Sequence, residues 1–186
     1  MTKIFIAGSI SIKHLDPKVR ERIDNIIEAD HTVIVGDADG ADSSIQAYLF
    51  KKGASLTVVY CSGDKPRNNI GHWPVKCVQT KHAAPGSRTF FTAKDIEMAK
   101  AADFGLMIWD AKSTGTLRNV IELLRQKKKS VVFVNKAKQF QTVGDVAQLE
   151  NLVGFMSEPA MRKADEKIRL HDKINELRHE QSEIFT

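Results

Sequence analysis

Three short segments of this sequence combine glycine with small polar residues, a composition typical of loops that hold a phosphate. The segments are residues 8–11, 36–42 and 110–116, and each follows an apolar run. In the last of them, a Ser-Thr-Gly-Thr turn enters an amphipathic stretch. We expect Gly115 to let backbone amides approach an anion, while hydroxyl groups and the positive helix end add attraction. An ordinary helix N-cap is the alternative, because serine and threonine are preferred there for local reasons.

The middle segment carries three carboxylates, Asp37, Asp39 and Asp42, within six residues. Clustered oxygens suit a hard cation, but the spacing and terminal glutamate of an EF-hand loop are absent, and we predict no metal site. We expect Gly40 to form a tight turn and Asp42 to cap the following helix. Asp39 would then accept a hydrogen bond from a ligand hydroxyl or amine. A solvated acidic turn is the alternative interpretation.

Basic residues that could meet an anionic ligand follow the third apolar run and continue into the next amphipathic stretch. They are Lys65, Arg67, Lys81, His82, Arg88 and Lys94. His72 and Trp73 lie between them and could stack on a base. A solvated surface loop explains the same residues equally well, since charge runs are commonly solvated.

Apolar runs and amphipathic stretches alternate along most of the chain and must position these residues. We predict strands at residues 3–7, 32–35, 56–60, 106–109 and 131–134, and helices at 17–29, 42–52, 92–101 and 117–127. Each strand is continuously apolar, as in a parallel sheet covered on both faces. The pattern predicts an α/β, Rossmann-like three-layer sandwich with a five-stranded, mainly parallel sheet. Residues 61–88 form a long irregular stretch in this prediction, and loops of that length are usually functional or mobile.

The pattern changes after the fifth predicted strand. We assign residues 1–136 to the Rossmann-like nucleotide-binding domain and residues 137–186 to a helical extension, with helices at 143–153 and 158–184. The last helix carries a narrow apolar stripe that could lie on the domain or on a partner helix. Its members are Met161, Ala164, Ile168, Ile174, Leu177 and Ile184. We favour self-association, and therefore expect a homo-oligomer, a dimer or larger.

Composition limits the class of protein. The chain has 186 residues, 42% of them hydrophobic, and a formal net charge of +5. From residue 159 onward six Lys/Arg balance six Asp/Glu, so the excess of positive charge lies in the first 158 residues. No apolar run approaches the ~18 residues of a membrane span, and we interpret the chain as soluble and cytoplasmic, with no membrane partner. Cys61 and Cys77 lack a metal-type spacing, so we expect two reduced thiols.

The ordered set of motifs resembles the SLOG superfamily over residues 3–135. The matching motifs are Gly8-Ser9, Gly36-Asp37 followed by Gly40-Ala41-Asp42, Lys94-Asp95 with Met98 and Ala102-Asp103, and Ser113-Thr114-Gly115-Thr116. This superfamily includes the lonely-guy phosphoribohydrolases and the DNA-processing protein Smf, with nucleoside deoxyribosyltransferases as distant relatives. The resemblance implies a single-domain member with a pocket for a nucleotide or its derivative. We expect no cofactor. Asn119 stands where the lonely-guy enzymes carry a catalytic glutamate, and Glu122 lies one helical turn further on.

Three functions remain possible, and we rank them by the absence of the catalytic glutamate of the lonely-guy enzymes. We favour a sensor or sequestering protein for a nucleotide-derived small molecule. The second is an enzyme, an N-glycosidase, phosphoribohydrolase or deoxyribosyltransferase, with Asp39, Asp95 or Glu122 as the carboxylate and Arg88 assisting. The third is nucleic-acid binding by analogy with Smf. We do not expect this function, because the three lysines at 127–129 are typical of a solvated turn.

The predicted ligand-binding residues are Gly8, Ser9, Ile10, Gly36, Asp37, Asp39, Gly40, Asp42, Arg67, Arg88, Ser113, Thr114, Gly115 and Thr116.

Overall fold

The computed structural model describes residues 1–80 and 82–183, and within them the chain forms seven strands and seven helices. The strands are β1 Lys3–Gly8, β2 Thr32–Gly36, β3 Thr57–Ser62, β4 Val75–Val78, β5 Phe104–Trp109, β6 Ser130–Val134 and β7 Gln139–Val143. The helices are α1 Pro17–Glu28, α2 Ala41–Lys51, α3 Arg88–Ala101, α4 Thr114–Arg125, α5 Val146–Val153, α6 Glu158–Ile168 and α7 Leu170–Glu183. None of these helices is long and apolar enough to span a membrane.

All the described strands form one sheet in the order β4-β3-β2-β1-β5-β6-β7. Neighbouring strands are parallel except β7, which runs antiparallel to β6. The chain builds outward from β1 to β4 and then crosses back to place β5 on the other side of β1. The strand order therefore reverses between β1 and β5, and in such sheets ligands bind beyond the carboxyl ends of the strands at this point.

Helices cover both faces of the sheet, which confirms the α/β, Rossmann-like architecture. One core lies between the sheet and α1 and α2, where Ile23 and Ile45 are fully buried. The other core lies beneath α3 to α7, where Met98, Leu117 and Leu149 are buried. This arrangement explains why strands such as β6 are continuously apolar, because the side chains on both faces of the sheet are buried.

The sheet has two strands more than the sequence predicted. β4 lies in the stretch 61–88, and all its residues are exposed or half-buried because it is an edge strand. β7, the opposite edge, falls partly in the predicted helix 143–153 and mixes polar with apolar residues. Neither carries the continuous apolar run that marks a strand buried on both faces. Residues 137–186 thus contribute a strand to the sheet as well as helices.

The predicted single helix at 158–184 is divided into α6 and α7. Arg169 interrupts it with a left-handed backbone (φ 53°). The apolar stripe packs within the chain, since Ala164, Ile168, Ile174 and Leu177 are buried in the same core as residues of α4 and α5. The stripe therefore lies on the domain, the first of the two positions that its spacing allowed; Ile184 is outside the described residues.

Candidate functional site

A cleft opens at the point where the strand order reverses. It has a volume of about 260 Å³, and Gly8, Lys94, Asp95, Thr116 and Asn119 lie on its walls. Glycine is required at the end of β1, because a Cβ on Gly8 would lie 2.7 Å from the carbonyl oxygen of Ile108. The close approach of β1 to β5 and α2 thus depends on the absence of a side chain there. We call this space the switch-point cleft.

One side of the switch-point cleft is a buried network of charges. Lys94, at the middle of α3, places its Nζ 2.7 Å from Asp37 Oδ1 and 4.0 Å from Asp42 Oδ2. Arg67 donates from Nε and Nη2 to the two carboxylate oxygens of Asp37. Burial disfavours the charge on Asp37, but the Arg67 hydrogen bonds and the Lys94 charge outweigh it and hold its pKa well below the usual value. Burial raises the pKa of Asp42, against the opposing charge of Lys94.

The start of α4 forms a second wall and is partly occupied by a carboxylate of the chain itself. Ser113 caps the helix by accepting from the Thr116 amide. Asp110 Oδ1 accepts from the amides of Lys112 and Ser113, and its Oδ2 accepts from Ser11 Oγ. Burial opposes ionisation of Asp110, but these hydrogen bonds lower its pKa. An external anion at this helix end would therefore meet the first amides of α4 beside an ionised Asp110.

A larger cleft lies between α3, α4, α6 and α7, and its walls are dominated by cations. Its volume is about 430 Å³, and we call it the cationic cleft. The cations that line it are Arg88, Arg118, Arg125, Lys167 and Lys173. None of them forms a salt bridge with another residue in the described ranges, although Asp95 and Glu122 share the cleft. Five cations therefore line one concave surface without a salt bridge among the described residues.

The pKa values in the cationic cleft reflect burial first and the charges of neighbouring groups second. Burial lowers the pKa of Lys173, and the nearby charges of Arg118 and Arg125 lower it further. Burial also lowers the pKa of Arg118, although the charge of Asp95 opposes this effect. Burial raises the pKa of Asp95 to about 7, so this carboxyl group changes charge near neutral pH. A bound anion would relieve the repulsion among the cations.

A third cleft, of about 510 Å³, continues from the cationic cleft to the start of α4. Lys112, Lys163 and Lys167 line it together with Gly115. Lys167 borders both clefts, so cationic side chains line a path from α3 to the N-terminus of α4, where the carboxylate of Asp110 also lies on the wall. We call this surface the basic track.

The structure divides the predicted site residues between these clefts. Those on the switch-point cleft are Gly8, Ile10, Asp42, Arg67, Asp95, Ser113, Gly115 and Thr116. Arg88 and Glu122 line the cationic cleft with Asp95, and Thr114 lines the third cleft.

Other predicted residues are placed behind the cleft walls. Ser9 is buried, with its hydroxyl 3.3 Å from that of Thr116. Asp37 is buried in the charge network, and Gly36 lies against Asp42 and Lys94.

Four further residues have a predicted role: Asp39, Gly40, Trp73 and Lys81. Asp39 is exposed and accepts from Asn68 Nδ2 at 3.0 Å. Gly40 has a φ of +79° and approaches the backbone of Ile10, as the predicted tight turn requires. Trp73 is a core residue, 8% exposed, whose Nε1 donates to the Ala54 carbonyl, and it cannot stack on a ligand base. Lys81 lies outside the described residues.

Sequence reasoning missed most of the basic track. We judged the C-terminal segment neutral from its total charge, but α6 places Lys163 and Lys167 one turn apart at the cleft. On α4, Arg118 and Arg125 are seven residues apart and thus share one helical face, with Glu122 between them. The seven-residue spacing on α4 and the four-residue spacing on α6 are visible in the sequence. Both were overlooked because only the total charge was considered.

Comparisons with known proteins identify the fold. No protein-family model matches the chain, and no curated protein matches its sequence. The chain is similar in structure to DNA processing protein A from Helicobacter pylori, described for its unique single-stranded DNA binding mode. The two are 14% identical with a TM-score of 0.54, over 90% of this chain and 80% of that chain. At this identity the likeness supports a Rossmann-like α/β fold, and SLOG membership stays a resemblance.

The comparison contradicts two of our functional interpretations. We preferred a sensor or sequestering protein for a nucleotide-derived small molecule, and we did not expect nucleic acid as a partner. Both are contradicted by this finding, because that protein is described as binding single-stranded DNA. The error came from assigning the positive charge to a small anionic ligand; the expected homo-oligomer stays a prediction.

Proposed function

We propose that this protein binds single-stranded nucleic acid along the basic track. The observation that carries the proposal is the cationic cleft, where Arg88, Arg118, Arg125, Lys167 and Lys173 converge without a salt bridge among the described residues. Phosphates of a nucleic-acid backbone are the repeating anions that such a surface attracts, and their binding releases condensed counterions. The likeness to a protein that binds single-stranded DNA supports the same conclusion.

The repulsion among the cations of the cationic cleft favours a partner that carries several negative charges. Holding unpaired cations close together destabilises the fold, and the pKa of Lys173 is lowered by its burial and further by the charges of Arg118 and Arg125. A single phosphate would neutralise part of one cleft only. A strand with consecutive phosphates could occupy the cationic cleft and continue past Lys167 toward α4, since a positively charged groove that follows the backbone is the usual site for a single strand.

The start of α4 offers a further phosphate position on this path, beside the Asp110 carboxylate that already accepts from the amides of Lys112 and Ser113. Ser113, Thr114 and Gly115 border the third cleft beside Lys112 and Lys163. Amides in the first turn of a helix have no helical acceptor, and the positive end of the helix dipole favours an anion. This extends the predicted phosphate role of the Ser-Thr-Gly-Thr turn to a phosphate within a strand.

Fluorescence anisotropy of a labelled oligothymidylate, measured across a series of salt concentrations, tests the proposal. Arg125→Gln and Lys167→Gln each remove one exposed cation from the track. We expect weaker binding, with the salt slope reduced by about one for each cation that contacts a phosphate. The matched controls are Arg20→Gln and Lys51→Gln, exposed cations on α1 and α2 across the sheet.

Two outcomes would contradict the proposal. One is affinity that does not fall with salt, because phosphate binding must show this dependence. The other is an equal loss in the control variants, which would indicate attraction by net charge rather than by the basic track. A duplex of the same sequence, measured alongside, should bind more weakly than the single strand.

A further inference from the structure

Two cysteines lie side by side on neighbouring strands at the edge of the sheet. Cys61 on β3 and Cys77 on β4 are paired in the parallel register, so their side chains share one face. Their Sγ atoms are 3.3 Å apart. A disulfide has an S–S length of ~2.05 Å, so the sulfurs need to approach by only about 1.2 Å. Neighbouring strands lie ~4.8 Å apart, a separation within the Cα···Cα range of disulfides, so rotation about χ1 is the movement that the bond requires.

We propose that Cys61 and Cys77 are a redox-active pair that forms a reversible disulfide. The two thiols have different surroundings, as the chemistry requires: Cys77 is exposed and Cys61 is buried. An oxidant can therefore reach Cys77 first, and Cys61 is in place to resolve the product. Burial raises the pKa of Cys61 to about 12, and its thiol donates toward Cys77 Sγ. Cys61 therefore stays protonated until Cys77 has been oxidised.

The oxidant we name is a peroxide, and the reaction balances in two steps. The Cys77 thiol releases its proton to solvent, and its thiolate attacks one peroxide oxygen; the O–O bond breaks, Cys77 becomes a sulfenic acid, and the departing hydroxide or alkoxide takes up a proton to leave as water or alcohol. Cys61 Sγ then attacks Cys77 Sγ, the S–O bond breaks, and the thiol proton of Cys61 joins the departing hydroxide as a second water. Two thiols are oxidised to one disulfide, and the peroxide is reduced by two electrons.

The disulfide would close the segment between β3 and β4, which reaches the candidate site. Arg67 lies in this segment and binds Asp37 through its guanidinium and its backbone amide. Cys77 Sγ also lies 3.3 Å from the Asp64 carbonyl oxygen, at the start of the same segment. A bond at its base removes conformations from the unfolded chain and keeps the edge strand paired. Oxidation should therefore stabilise β4 and the Arg67 loop.

Mass spectrometry of the full chain after hydrogen peroxide treatment tests the proposal. We expect a monomer that has lost two hydrogen atoms, contains no free thiol, and regains both thiols with a dithiol reductant. The melting temperature of the oxidised protein should rise on the order of 6–12 °C. In Cys77→Ser, whose substituted side chain is exposed, both the mass change and the thermal shift should disappear.

Cys61→Ala provides the complementary variant, since it leaves the exposed thiol without a partner. We expect Cys77 there to accumulate added oxygen or to link two chains. A wild-type protein that gains oxygen atoms at Cys77, or forms only dimers linked between chains, would overturn the proposal. These results do not depend on nucleic-acid binding, so failure of either proposal leaves the other intact.

Discussion

Lys94 on α3 and Asp37 after β2 form a buried ion pair, with Nζ and Oδ1 2.7 Å apart and side chains 5% and 3% exposed. Charges removed from water to this extent must be compensated by their partners. The pair holds α3 against the carboxyl ends of the strands and fixes one wall of the switch-point cleft. Its neighbours Arg67 and Asp42 extend it into a network of charges along this wall.

Removing Lys94 should therefore cost more than removing a surface cation. Lys94→Met leaves Asp37 and Asp42 without the cation between them, and we expect a loss of ~3–5 kcal/mol in the free energy of unfolding. Lys100→Met is the control on the same helix, because Lys100 pairs with Glu97 at the surface and is 59% exposed. Its loss should be within ~0.5 kcal/mol. Urea unfolding of both variants provides the measurement; equal losses would show that the buried pair contributes little.

The same pair predicts how stability depends on acid. The pKa of Asp37 in the folded protein lies below its usual value of 3.8, so folding favours the ionised form. Its contribution is complete above pH 3.8 and is lost progressively as the pH falls further. We expect Asp37→Asn to be destabilised at pH 6 and to lose less stability than the wild type between about pH 4 and pH 2. Thermal melting across this range measures the difference.

Asp95 should show the opposite dependence on pH. Burial raises its pKa in the folded protein to about 7 from a usual value of 3.8, so folding favours the protonated form. Its ionisation therefore reduces stability progressively as the pH rises from about 4 to about 7. We expect Asp95→Asn to melt higher than the wild type at pH 8 and to lose this part of the pH dependence. Glu166→Gln, an exposed substitution on α6, should change neither quantity.

The fold could be predicted from the sequence where burial imposes a clear pattern. β1, β2, β3, β5 and β6 are apolar because both faces are covered, and all were found. β4 and β7 lie at the edges, where polar residues are tolerated, and neither was found. The break at Arg169 was missed because an arginine in a left-handed conformation carries no sequence signature as clear as glycine's.

The candidate site was predictable where glycine marked a turn. Gly8, Gly40 and Gly115 all lie at the ends of strands or the start of a helix, as expected. The basic track was not predictable in the same way, because α4, α6 and α7 meet only in the folded chain. Lys163 and Lys173 lie on different helices, and no local spacing relates them to Arg118.

Gly40 offers a test of whether the turn after β2 depends on glycine for space as well as for conformation. Its φ is +79°, and a Cβ there would overlap the backbone of Ile10, which cannot easily move. Gly86 has a similar φ of +83°, but a Cβ there would meet nothing within 4 Å. Both alanine variants therefore carry a strained backbone, and only Gly40→Ala adds a collision.

We expect Gly40→Ala to lose ~3 kcal/mol or more of unfolding free energy, and Gly86→Ala only ~1–2 kcal/mol. Urea unfolding at constant pH compares the two variants. Equal losses would mean that the loop from Ile10 shifts to admit a methyl group. In that case the close contact between the ends of β1 and β2 is not a fixed part of the site, and the switch-point cleft should change shape without loss of the fold.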